Sequence, residues 1–144
     1  MPNWCNNNLL IKADNRDAAK EFKTLEHKFK KTFTYSKQSN HIENLFDSIL
    51  PTPSEYLDND NWYDWRVNNW GTKWDAVECY QIDRGHNDIK FTFLTAWSPP
   101  IEWLEHIAEM FPNLWFKLEN DEPGMGFGGI ACGRGKIIDE CVDY

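Results

Sequence analysis

The sequence predicts an α+β domain in which a mainly antiparallel sheet carries helices packed on one face. Three observations lead there. A strand-like opening segment is followed by an apolar stripe at helical spacing. Two runs rich in β-formers then flank a short polar turn. A second helical stripe precedes a closing series of strand-like runs divided by glycines.

Asn3 to Lys12 ends in Leu9-Leu10-Ile11 and predicts the first strand. Asp14-Asn15 offers an N-cap, and Asp17 falls in the first turn, where the helix dipole favours negative charge. Ala18, Phe22, Leu25 and Phe29 then recur at spacings of four, three and four, one face of a helix, with Lys28, Lys30 and Lys31 at its C-terminal end. Residues 34–41 are polar and loop-like. Leu45, Phe46, Ile49 and Leu50 fit helix and strand equally, so the type of that segment stays open; Trp62 to Trp70 fits a short helix.

Val77 to Ile82 and Ile89 to Thr95 predict a hairpin around Asp83-Arg-Gly-His-Asn-Asp88. A turn symmetric about Gly85-His86 sets Ile82 opposite Ile89 and Tyr80 opposite Phe91, and brings Trp74 near Trp97. Ser98-Pro99-Pro100 punctuates the strand, with Ser98 as N-cap of a helix whose buried stripe is Ile101, Leu104, Ile107, Ala108 and Phe111. Leu114 to Glu119 is a strand, Glu122-Pro-Gly124 a turn, Met125 to Cys132 a glycine-rich strand, and Lys136 to Val142 a last one. The whole of 1–144 reads as one domain whose core follows the βαββαβ order of the ferredoxin-like motif, with an aromatic-rich insertion around 40–75.

Composition sets the functional limits. With 41% hydrophobic residues and 22 aromatics, the chain has material for a core. No apolar run approaches the roughly 20 residues of a membrane span, and the start lacks the pattern of a signal peptide, predicting a protein that stays in the cytoplasm. The net charge is −8, with residues 12–37 at +4 and the remainder at −12, so direct binding of duplex DNA is not expected. Cys5, Cys79, Cys132 and Cys141 form no C-x-x-C pair and read as buried thiols. His27, His41, His86 and His106 belong to no metal or nucleophile pattern. Asp58, Asp60 and Asp64 begin like a calcium loop but lack its glycine and distal glutamate. Gly124-Met-Gly-Phe-Gly-Gly129 runs into strand-like residues rather than a helix, unlike a phosphate-binding turn. No catalytic residue, metal site or cofactor is expected, although a site assembled across the fold would leave no linear motif.

The concentrated feature is aromatic. Trp62, Tyr63, Trp65, Trp70 and Trp74 fall within thirteen residues, and the hairpin adds Trp97. Asn69, Thr72, Lys73, Asp75 and Ser98 place polar groups among them. Such a cluster fits a secondary core, an anchor for a protein partner, or a stacking pocket for a nucleotide-like ligand. Acidic mimicry of DNA is a further alternative, resting on the charge.

Five segments occur in the order Pro2-Asn-Trp-Cys-Asn6, Asn69-Trp-Gly-Thr-Lys-Trp-Asp75, Thr95-Ala-Trp-Ser-Pro-Pro100, Phe111-Pro-Asn-Leu114 and Glu122-Pro-Gly-Met-Gly-Phe-Gly128. In these the chain resembles the YubB-like proteins of phages and plasmids, which contain a ferredoxin-like domain. The resemblance implies a small accessory protein of a mobile element, acting in a bacterial host's cytoplasm; with the missing active site and the aromatic patch, it leads to the expectation of a non-enzymatic protein that binds a host or defence-system protein. It carries over no catalytic residue and no iron–sulfur cluster.

Overall fold

The computed structural model describes residues 3–30 and 41–143. Of the loop expected at 34–41, residues 34–40 lie outside them, as do Lys31 and the Pro2 of the opening motif, while His41 forms an isolated antiparallel bridge with Tyr80.

Alternation builds the centre of the sheet. In β1 (Trp4–Lys12), Cys5, Asn7, Leu9 and Ile11 are buried, while Asn6, Asn8 and Lys12 face solvent. One face of the sheet is therefore covered and the other open. Helix α1 (Arg16–Lys30) begins where Asn15 Oδ1 accepts the Ala18 N–H at 2.8 Å, the expected cap, and Ala18, Phe22, Leu25 and Phe29 are all buried. Each such phenylalanine contributes on the order of 1.5–3 kcal/mol by burial. Phe29 meets Phe91 edge to face at 5.2 Å.

The insertion is helical throughout its named elements: α2 (Leu45–Ile49), α3 (Ser54–Leu57) and α4 (Trp62–Trp70). Helix α2 buries Leu45, Phe46 and Ile49. Helix α4 ends at Gly71, whose φ of 85° is the left-handed conformation that glycine adopts without a Cβ penalty. The hairpin follows as β2 (Val77–Arg84) and β3 (Asp88–Ala96), then α5 (Ile101–Met110), β4 (Trp115–Glu122), β5 (Phe127–Arg134) and β6 (Lys136–Asp143).

All pairings are antiparallel, and the strand order is β2-β3-β1-β4-β5-β6. The first four strands and the helices α1 and α5 give the ferredoxin-like arrangement; β5 and β6 extend the β4 edge. The link between these last two strands is tight enough that a Cβ on Gly133 would run into the Lys136 carbonyl.

Three local expectations change. The hairpin starts in the predicted register, Val77 opposite Leu94, and then slips twice, so that Tyr80 faces Thr92 and Arg84 faces Ile89. Glu78, at φ 50°, lies in the first of these irregular stretches, where a bulge inserts a residue and shifts every pair beyond it. Ser98 does not cap α5. The helix starts only at Ile101, because a residue preceding proline is driven out of the helical region and both Ser98 and Pro99 precede one. Cys5 and Cys79 are buried thiols, but Cys132 is only half-buried, in the open-face row beside Lys117. The side chain of Cys141 lies outside the described residues.

Candidate functional site

The tryptophans expected to form one cluster separate into two groups. Trp70 is fully buried, donates its indole N–H to the Leu50 carbonyl at 2.9 Å and packs on Phe46. Trp65 stands edge-on to Trp70 and touches Tyr56. Arg66 lies over both the Trp62 and Trp70 rings, at 5.1 and 4.8 Å, and its Nε donates to Thr52 Oγ1. These residues, with the Asn69 amide donating to the Trp65 carbonyl, weld the insertion to the core. An apolar ring with its only polar atom satisfied internally is the chemistry of packing.

Trp74 and Trp97 sit apart from that group, at the end of the sheet where β1 begins and β3 and β4 finish. Two hydrogen bonds bring their segments together: Thr72 Oγ1 donates to the Ala96 carbonyl at 2.9 Å, and Ser98 Oγ donates to the Gly71 carbonyl. Trp74 is 37% exposed and Trp97 42%. Trp74 leans on Trp4, ring centroids 6.1 Å apart, and Lys73 Nζ stands 4.3 Å from its ring centre. Trp97 has φ 70°. Its N–H donates to the Asn3 carbonyl, and the next N–H, of Ser98, donates back to Ala96 at 2.9 Å. That bond closes a three-residue turn of the rare left-handed kind around a bulky residue, a strained arrangement found where geometry matters more than local stability.

Asp75 serves the fold. Its two carboxylate oxygens accept the N–H groups of Phe46, Asp47 and Ala76, at 2.8, 2.9 and 2.7 Å, and so close the N-terminus of α2 across the chain. Burial lifts its pKa to about 6 despite those three donors.

The polar residues around the indoles extend inward, which sequence reasoning missed. Among the described residues, the buried polar side chains are Asn7, Thr52, Thr72, Thr95, Asn120 and Glu122, and all but Thr52 gather at this end. Asn7 donates to the Cys5 carbonyl at 3.1 Å and to Thr95 Oγ1 at 2.9 Å, and Thr95 Oγ1 donates on to the Ser98 carbonyl. Glu122 is 1% exposed; one oxygen accepts the Gly124 N–H, and the other has no partner. Cys5, beside it, is pushed up to about 11 by burial, with the carboxylates of Glu122 and Asp121 adding to the effect. A thiol so placed is a poor nucleophile. The signal for this interior was available in the strand pattern, where Asn7, Thr95 and Asn120 occupy positions that alternation assigns to the core.

Among the described residues no group of three His, Cys, Asp or Glu side chains is placed to hold a metal ion. No described helix is long and apolar enough to cross a membrane.

The fold and this end of the sheet define a ferredoxin-like α+β domain with an added β-hairpin, a polar interior and two open indoles. Residues 69–143 match the family model described as a ferredoxin-like domain in Api92-like protein, and the chain belongs to that family, which has no assigned function. The matched stretch supplies β2 to β6 but not β1, the strand that lies between β3 and β4 in the sheet. Among solved structures, the protein api92 from Yersinia pseudotuberculosis is similar over 100% of this chain and 98% of its own, with a TM-score of 0.62 and 12% identity. At that identity the likeness speaks for the fold alone. No curated protein matches the chain.

Proposed function

We propose that this protein is a non-enzymatic accessory protein of a phage or plasmid that binds a host or defence-system protein through the aromatic surface around Trp74 and Trp97. The carrying observation is that two large indoles stay open to solvent on backbone held rigid by cross-loop hydrogen bonds, while Trp65 and Trp70 are drawn into the core. Rigid, partly exposed tryptophan is the residue most enriched at the energetic centre of protein interfaces. The motif resemblance to YubB-like proteins supports the mobile-element setting.

A nucleotide-like ligand has less behind it. One neighbour of the Trp74 ring is Trp4 and another is Lys73, and the carboxylates nearby would repel phosphate. Mimicry of DNA has only the overall charge in its favour.

Capture from bacterial lysate by the wild-type chain and by a Trp74→Ala/Trp97→Ala variant tests the proposal. A partner should be lost from the double variant and retained by Leu57→Ala, which truncates an exposed apolar residue elsewhere. Equal capture by wild type and the double variant would rule out the aromatic surface.

A further inference from the structure

The sheet face turned away from the helices carries a band of positive charge, although the whole chain stands at −8. Register builds the band at the Lys12 end of β1. In one row Lys12 lies between Asp88 and Trp115, with Arg134 and Lys136 beyond; in the next, Leu10 separates Lys90 from Lys117. Asp83, opposite Lys90, and Asp88 border these rows, and their carboxylates accept the backbone N–H groups of Arg84 and Gly85, each at 2.8 Å. Arg134 pairs with Asp14, and Lys117 with Glu119 at 3.1 Å. Lys12, Lys90 and Lys136 are exposed and make no ion pair among the described residues.

Polar and aromatic groups continue the same face. In the third row Asn8 lies between Thr92 and Glu119, with Tyr80 beyond Thr92. Asparagine is depleted in strands. Asn7 is accounted for by its bonds in the interior, but Asn6 and Asn8 are exposed on the central strand, where the fold gains nothing from their amides. Two shallow grooves, of about 240 and 320 Å³, meet at Asn8 and Glu119; Lys90 and Lys117 line the first, Asn6 and Ile130 the second. Tyr80 is 41% exposed, and Trp115 is half-buried.

Charge sets the sign of the partner, and the other groups set its class. Lysines without carboxylate partners call for an anion. An acidic peptide would engage the lysines and leave the rings and amides idle. A single strand of nucleic acid uses all three, with phosphates on lysine, bases stacked on aromatic rings and base edges bonded to amides. Glu119 in mid-face repels phosphate but accepts hydrogen bonds from base amino groups and from 2′-hydroxyls, which favours RNA with its backbone at the lysine end. A duplex hides its base edges and meets the long-range repulsion of an acidic chain.

We propose that this half of the open face binds single-stranded RNA, with Lys12 and Lys90 on the phosphates, Trp115 and Tyr80 as stacking platforms and Asn8 on a base edge. The site lies at the opposite end of β1 from Trp74 and Trp97 and goes beyond the binding of a host protein there.

The test is fluorescence anisotropy of the full chain with a labelled pool of short random-sequence RNA, over a range of salt concentrations. Binding should saturate at low salt. Lys12→Gln/Lys90→Gln should weaken it and flatten the dependence of log K on log salt by about 1.4, the share of two phosphate contacts on a single strand. Tyr80→Ala and Trp115→Ala should each weaken it about fivefold or more. Lys20→Gln/Lys23→Gln removes the same charge from α1 and should leave binding unchanged. Trp74→Ala/Trp97→Ala should leave it unchanged too, so failure here is separable from failure of the aromatic surface. The proposal is overturned by an absence of saturable binding, or by an α1 variant as weak as the Lys12/Lys90 one. Poly-aspartate binding as tightly as RNA would reassign the face to an acidic protein segment, and single-stranded DNA binding as tightly would overturn the assignment to RNA. Circular dichroism and a cooperative melt establish that each variant is folded.

Discussion

Trp97 offers a direct measurement of strain at the proposed binding surface. At φ 70° its backbone occupies the left-handed region, which costs a non-glycine residue about 1–2 kcal/mol. Replacing Trp97 by alanine removes the indole and keeps the strain; replacing it by glycine removes both. The comparison of the two variants therefore cancels the lost side-chain contacts and leaves the backbone. Glycine's greater freedom in the unfolded chain offsets about 0.4–1 kcal/mol of the relief. Trp97→Gly should thus be more stable than Trp97→Ala by roughly 0.5–1 kcal/mol. For a chain of this size that is a rise of about 2–3 °C in Tm. In urea it is a higher midpoint at unchanged slope. Both variants should lose the partner captured by wild type, because both lack the indole. Alanine equal to or more stable than glycine would show that the three-residue turn around Trp97 stores no strain and that its geometry needs no functional explanation.

Thr72→Val keeps shape and removes the hydroxyl that ties the Trp74 segment to Ala96. The Ala96 carbonyl still accepts Ser98 N–H, so the cost should be only about 0.5–1.5 kcal/mol, with faster amide exchange at Trp97 and Ser98 as the local readout. Trp70→Phe deletes the bond to the Leu50 carbonyl and part of a fully buried ring, and should destabilise by about 2–4 kcal/mol in chemical denaturation. The Asp75 carboxyl, followed by NMR, should titrate near pH 6. Because the folded chain then holds that proton more tightly than the unfolded chain, this group favours folding most below about pH 4, and its contribution is lost as pH rises through 6; Asp75→Asn should abolish that share of the pH dependence.

Elements with strong periodicity were legible in the chain. The stripe of Ala18, Phe22, Leu25 and Phe29 is a helix in any context that covers it, and the alternation of β1 marks a half-covered strand. Local patterns of this kind are set by the residues themselves. The insertion was harder to read because α2 and α3 have five and four residues. Helices that short draw their stability from what they pack against rather than from propensity. The hairpin register was hidden for a similar reason, since a bulge at Glu78 is a single backbone departure that β propensity does not signal.

Sequence alone determined the covered and open faces of the strands, the helix stripes and the absence of any linear catalytic motif. Only the tertiary structure decided which tryptophans are sealed and which are open. It also decided that Asn7, Thr95, Asn120 and Glu122, far apart in the chain, share one polar interior. The physical reason is that side-chain direction follows from a residue's own element, whereas burial and hydrogen-bond partnership depend on which other element arrives opposite it. For Trp70 that element was α2, through Phe46. Trp74 and Trp97 were left open to solvent.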